Sequence, residues 1–216
     1  MKKNLTEIVF ILDRSGSMAG LVEDTIGGFN AMIEKQKAED GQAYVSTVLF
    51  STSSEVIHDR VDVQKVPPMT RRDYLPGGCT ALLDAVGDAI HHIGNVHKYA
   101  REEDRPEHTI FVITTDGLEN ASHRYTAQQV KQKIERQKEK YGWEFIFLGA
   151  NIDALDVAEH IGIHADRAAN FMADRAGTEA TFASVNEAVC QVRSCAPMRA
   201  DWKDAVDADF ASRFGD

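Results

Sequence analysis

Apolar, β-rich runs alternate with helical patterns almost from end to end of the chain, as in a parallel sheet wound with helices on both faces. Residues 7–13 (EIVFILD) form a continuous apolar run with a polar end, which suits a central strand buried on both sides. Residues 21–37 then predict a helix, with Val22, Ile26, Phe29 and Ile33 on one stripe. Two strand-like runs follow, 43–51 and 55–63, separated by only a few small polar residues. A link that short closes an antiparallel hairpin and cannot carry a parallel crossover. One antiparallel edge strand on an otherwise parallel sheet is therefore expected.

A loop rich in proline and glycine (Pro67, Pro68, Pro76, Gly77, Gly78) leads into a helix over 80–99, whose buried face is Leu82, Val86, Ile90 and Ile93. Residues 109–115 (TIFVITT) are the second strongly apolar strand, followed by a polar loop to residue 124. A charged helix over 126–141 has a narrow seam at Val130 and Ile134. Residues 144–150 (EFIFLGA) predict another buried strand, then come a short helix at 153–161 and a weak strand near 168–172. Phe182, Val185, Val189 and Val192 mark a long final helix. After Pro197, the spacing of Trp202, Val206, Phe210 and Phe214 gives a slowly drifting stripe on one more short helix. The expected fold is α/β: a three-layer, doubly wound, mostly parallel six-stranded sheet of Rossmann-like type. With no internal repeat or linker, residues 1–196 read as one domain. Residues 197–216 read as a helical extension packed on it.

Composition narrows the function rather than the fold. A chain of 216 residues can bury a proper core, and 43% hydrophobic with 27% charged residues is ordinary for a globular protein. A formal charge of −10 argues against nucleic acid or an anionic membrane as the main partner, since both need a basic surface. The opening apolar stretch is short and meets Asp13, which does not suit a signal peptide, and nothing later approaches a membrane span. These features read as cytoplasmic. The three cysteines match no zinc spacing. Cys190 and Cys195 fall on the predicted final helix, about 7.5 Å apart along its axis, too far for a disulfide. Reduced, mostly buried thiols are expected, with Cys79 the exception in its loop. His91 and His92 point about 100° apart on a helix. His58, His97, His108, His123, His160 and His164 show no ligand spacing either.

The strongest local signal is Asp13-Arg14-Ser15-Gly16-Ser17, directly after the first buried strand. It places one carboxylate and two hydroxyls on a tight turn, and a hard cation such as Mg²⁺ takes oxygen ligands of this kind. A plain helix cap is the simpler reading of the same residues. Two other segments weigh against it. Thr114-Thr115-Asp116-Gly117 brings a second carboxylate from another strand's carboxyl end, and Gly77-Gly78-Cys79-Thr80-Ala81 presents Thr80 between them. In doubly wound sheets, ligands bind beyond the carboxyl ends of strands where the winding reverses. With the hairpin on one side of the first strand and the 109–115 strand on the other, Asp13 and Asp116 flank that reversal.

At these residues the chain resembles the von Willebrand factor A family. Its metal-ion-dependent adhesion site (MIDAS) combines an Asp-x-Ser-x-Ser motif, a downstream Thr and a later Asp. Asp13, Ser15, Ser17, Thr80 and Asp116 match in the family's order, and the likeness of element order runs to about residue 195. The resemblance implies a Mg²⁺ site, with Mn²⁺ or Ca²⁺ as alternatives. Ser15 and Ser17 would bind directly, Asp13 and Asp116 largely through waters, and Thr80 either way. It implies a non-enzymatic module that captures an Asp or Glu carboxylate of a protein partner. For bacterial members, the implied partners include AAA-type ATPase complexes. Arg14, Met18, Arg71, Arg72, Glu119, Arg124 and Tyr125 are loop candidates for setting partner choice.

Other classes fit less well. A Mg²⁺-dependent phosphatase with Asp13 as nucleophile lacks its second acid, because Ser15 stands two residues on. No GxxxxGK[ST] or GxGxxG run supports nucleotide binding, and no GxSxG elbow supports a serine hydrolase. A scaffold whose site is blocked by the chain's own acid is a further alternative, with Glu119 the candidate.

Overall fold

The computed structural model describes residues 1–214. The strands are β1 (Lys2–Asp13), β2 (Gln42–Phe50), β3 (Ser54–Asp62), β4 (Pro106–Thr115), β5 (Glu144–Ala150) and β6 (Ala168–Phe171). They form one six-stranded sheet in the order β3-β2-β1-β4-β5-β6. Only β3 runs antiparallel, against β2, and the other pairings are parallel. This is the expected α/β architecture with its single antiparallel edge. The chain winds outward from β1 to β3, then crosses back to β4 on the other side of β1, so the reversal lies between β1 and β4.

The period of two along the central strands divides the core between two faces. Ile8, Phe10 and Leu12 of β1 and Ile110 and Val112 of β4 enter one buried cluster with α1 (Val22–Ala38) and α5 (Arg175–Arg193). Val9, Ile11, Phe111 and Ile113 enter the other, with α2 (Leu82–Tyr99), α3 (Ala127–Tyr141) and α4 (Ala154–His160). Because both faces are covered, residues 8–12 and 110–113 are apolar without a break, which is why these stretches do not alternate. On the first face α1 and α5 approach closely. A Cβ on Gly28 would lie 2.2 Å from the Phe182 ring. The guanidinium of Arg193 in α5 also reaches across to the C-terminus of α1, donating to the carbonyls of Gln36, Glu39, Asp40 and Gly41.

Three local expectations change. β1 begins at Lys2 rather than residue 7, because the polar residues before Glu7 still pair their backbone with β4, through an irregularity between Lys2 and Thr6. α2 begins at Leu82 rather than residue 80. α5 ends at Arg193, and Cys195 lies beyond it with φ +58°, so Cys190 and Cys195 do not share a helix. All three thiols are free, but Cys79 and Cys195 are exposed and Cys190 is half-buried, so the expected burial does not hold.

The last helix, α6 (Asp204–Phe214), lies beside α5 and β6. Trp202 and Val206 are buried in the first-face cluster, Phe210 is half-buried, and the side chain of Phe214 falls outside the described residues. The Trp202 indole N–H donates to the Asp166 carbonyl at 2.9 Å, so its burial leaves no polar group wanting. Trp202→Ala is expected to cost about 3–5 kcal/mol. Urea unfolding is the measurement; a change near zero would mean that this segment does not share the core's cooperativity.

Candidate functional site

β1 and β4 end side by side, and each delivers an aspartate to the sheet's carboxyl edge: Asp13 closes β1 and Asp116 follows β4 directly. After Asp13 the chain turns at once. Ser15 N–H donates to Asp13 Oδ1 at 2.6 Å, and the following 3-10 turn begins at Gly16. Ser15 stands at the cap position of that turn but makes no side-chain cap bond. Its hydroxyl instead lies 3.1 Å from that of Ser17. Ser17 Oγ donates to Asp116 Oδ1 at 2.5 Å, joining residues 99 positions apart in sequence. On the other side, Thr115 Oγ1 donates to Asp13 Oδ2 at 2.6 Å.

The glycine-rich loop closes over this turn through backbone bonds. Gly16 N–H donates to the Gly78 carbonyl at 3.1 Å, and Gly77 N–H to the Arg14 carbonyl at 2.9 Å. Gly78 has φ +80°, the left-handed region that glycine enters freely, and a Cβ there would lie 2.6 Å from Thr52 Oγ1. This route carries Thr80 to the same place. A Cβ on Gly117 would lie 3.3 Å from Thr80 Oγ1 and 3.7 Å from Ser17 Oγ, so the two hydroxyls face one glycine. Asn120 holds the Thr80 backbone at both ends: its side chain accepts from Thr80 N–H at 2.9 Å, and its own N–H donates to the Thr80 carbonyl at 3.0 Å. These contacts bring the five oxygen-bearing residues together at the carboxyl edge of the sheet.

Its electrostatics are unbalanced. Asp13, Ser15, Thr80 and Asp116 are all buried, yet among the described residues neither aspartate has an ion-pair partner. Arg14, the nearest cation in sequence, turns away to Glu55 at 2.7 Å and to the Asp73 carbonyl. Burial pushes the Asp13 carboxyl above its ordinary range, against the hydrogen bonds from Thr115 and Ser15 that favour the anion. Asp116 is also pushed up, first by burial and further by the charge of Asp13, against the Ser17 bond. Two buried acids with hydroxyls at hydrogen-bond distance, and no protein cation, match the all-oxygen donor set of a hard divalent ion.

Comparisons with known proteins address the fold. No protein-family model matches the sequence, and no curated protein does. Solved structures do. Proximal thread matrix protein 1 from the mussel byssus, in a form with a zinc-occupied MIDAS motif, superposes with TM-score 0.59 and 13% identity over 88% of this chain and 47% of that one. The vWF domain of a type V pilus tip protein from Porphyromonas gingivalis gives 0.61 and 11% over 85% of this chain and 94% of that one. A von Willebrand factor type A structure from Catenulispora acidiphila gives 0.57 and 14% over 88% and 43%. The fold is of the von Willebrand factor A type. The chain spans less than half the length of the mussel and Catenulispora proteins.

Several residues that hold this edge of the sheet together have no sequence signature. Tyr74 is fully buried, and its hydroxyl donates to the Asp13 carbonyl. Burial and the neighbouring acids push its phenol well up, so it remains a donor. Asp84 in α2 accepts three backbone N–H bonds from His123, Arg124 and Tyr125, which bind the loop after Asp116 to that helix. Despite desolvation, those donors hold its carboxyl below the ordinary range. The candidates for partner choice divide. Met18 is core, and Arg124 is spent on Asp84 and Asp88. Glu119 is fully engaged by Leu83, Ala121 and Ser122, so it does not reach over the crevice as a blocking acid. Arg71 pairs with Glu23, and Arg72 is exposed. Leu75 and Leu118, near Thr80 and Asp116 in the chain, are 66% and 61% exposed.

The raised carboxyls give a pH test of the metal-free protein. Asp13 and Asp116 keep their protons to higher pH in the folded protein than in the unfolded chain, where carboxyls release them near pH 4. Their contribution to stability is full below that range and is lost as pH rises through the folded values. In chelator, wild type is expected to lose more stability than Asp13→Asn as pH rises from about 4. Denaturant titrations at each pH measure this; equal losses would mean that burial does not disfavour the Asp13 anion.

Proposed function

We propose that this domain is a divalent-cation-dependent protein-binding module, in which Asp13, Ser15, Ser17, Thr80 and Asp116 hold Mg²⁺ at the sheet edge. The observation that carries the reading is the 2.5 Å bond from Ser17 to Asp116, which brings the turn after β1 and the end of β4 together around two unpaired buried acids. Ser15, Ser17 and Thr80 supply neutral oxygens, and Asp13 and Asp116 supply charge, acting mainly through water. Such a donor set leaves the cation partly uncompensated, so it accepts an Asp or Glu carboxylate from a protein partner. Mn²⁺ or Ca²⁺ can take the same oxygens.

The zinc-occupied MIDAS of the mussel protein supports metal binding by a fold of this type. Within this proposal the module is not an enzyme: it works in the cytoplasm, and its partners include components of AAA-type ATPase assemblies.

Calorimetry with Mg²⁺ and Mn²⁺ is the test. Asp13→Ala and Asp116→Ala are each expected to weaken binding by about 10–100-fold or more, as loss of a water-mediated ligand partner does. Circular dichroism would confirm that each variant is folded. Equal affinity in wild type and a folded Asp13→Ala protein would contradict the proposal.

A further inference from the structure

At the other end of the sheet, the amino end of β4 meets the chain just past α5. His108 Nε2 lies 3.1 Å from Cys195 Sγ, across 87 positions of sequence. A ligand oxygen of Glu107 joins them, so that all three donor atoms lie within 4.8 Å of one another. We propose that Glu107, His108 and Cys195 form a second cation site, selective for a borderline divalent ion of the zinc type.

The chemistry of the donors separates this site from the first. Asp13, Ser15, Ser17, Thr80 and Asp116 offer only oxygen, whereas this cluster combines thiolate, imidazole and carboxylate, the set that zinc takes in tetrahedral sites. Zinc–ligand bonds of about 2.0–2.3 Å place tetrahedral donors roughly 3.3–3.7 Å apart. The His108–Cys195 separation of 3.1 Å lies just under that range and all three donors fall within 4.8 Å, with Cys195 exposed and His108 and Glu107 half-buried. Three protein ligands leave a fourth position for water, as the exposed location allows.

The fold delivers these groups for stated reasons. Cys195 N–H donates to the Val192 carbonyl, and Ala196 N–H to the Gln191 carbonyl, ending α5 with Cys195 in the left-handed region at φ +58°. That termination usually falls to glycine. Here it turns a thiol back toward β4. Glu107 is held by Asn4 N–H, which donates to its Oε2 at 2.9 Å. Binding replaces the Cys195 thiol proton, which passes to solvent. No ligand spacing in the sequence indicates the site, because its members come from the start of a strand and the end of a helix far apart in the chain. It lies roughly 25 Å from Asp116, eight strand residues away at about 3.3 Å each.

Co²⁺ titration in excess Mg²⁺, followed by near-ultraviolet absorption, tests the proposal. Only a thiolate ligand gives the sulfur-to-cobalt charge-transfer band, so cation held by the oxygen site is silent. The band is expected in wild type and in Cys190→Ser, whose thiol is engaged by Gln36, and is expected to vanish in Cys195→Ser. Zn²⁺ competition should show His108→Ala and Glu107→Gln each weakened beyond the roughly 10–100-fold that loss of an outer-shell partner causes. Three results would overturn the site: no band in wild type, a band unchanged in Cys195→Ser, or Zn²⁺ affinity unchanged in both His108→Ala and Glu107→Gln. The last would indicate a lone thiol.

Discussion

The structure depends on two acids that are buried together without a counter-charge. Asp13 and Asp116 are carried to adjacent strand ends, buried, and given hydroxyl and backbone donors, but among the described residues no lysine, arginine or histidine pairs with them. A buried carboxylate without a counter-charge is costly, and two side by side are more so. The surroundings nevertheless fix both in place. Tyr74 bonds the Asp13 carbonyl, Asn120 clamps Thr80, and Asp84 ties down the loop after Asp116. The proposed cation would supply the counter-charge that these two constrained acids lack.

The fold explains why the acids meet. In a doubly wound sheet the first strand has neighbours on both sides, reached by chain running in opposite directions, and the loops at its carboxyl end separate there. β1 and β4 form that boundary, so residues 99 positions apart come within one hydrogen bond. The same winding brings their amino ends near the close of α5, where His108 and Cys195 meet. One topology thus gathers an oxygen cluster at one edge and a mixed sulfur, nitrogen and oxygen cluster at the other.

Much of this was legible in the sequence because the determining pattern is local. Short β-branched apolar runs such as EIVFILD and TIFVITT suit strands buried on both faces, and the brief link between β2 and β3 permits only a hairpin. Asp13, Ser15 and Ser17 sit within five residues, so their convergence needed no tertiary information. The supporting residues were not legible. Tyr74 sits in a loop with no periodicity, and Asn120 acts by clamping another loop's backbone. Met18 looked like a loop side chain because the turn that buries it is 3-10 rather than a regular helix. The end of α5 was misjudged because a cysteine, not a glycine, takes the left-handed position there.

The central claim is that the five oxygen-bearing residues enclose one divalent cation, and paramagnetic relaxation tests it most directly. In amide spectra recorded with substoichiometric Mn²⁺, the account predicts that signals of Ser15, Gly16, Ser17, Thr80 and Gly117 broaden first and together. Titrating Mg²⁺ should then restore them. Broadening spread over the acidic surface instead, with the Ser15–Ser17 turn no more affected than Glu102 or Asp104, would contradict it.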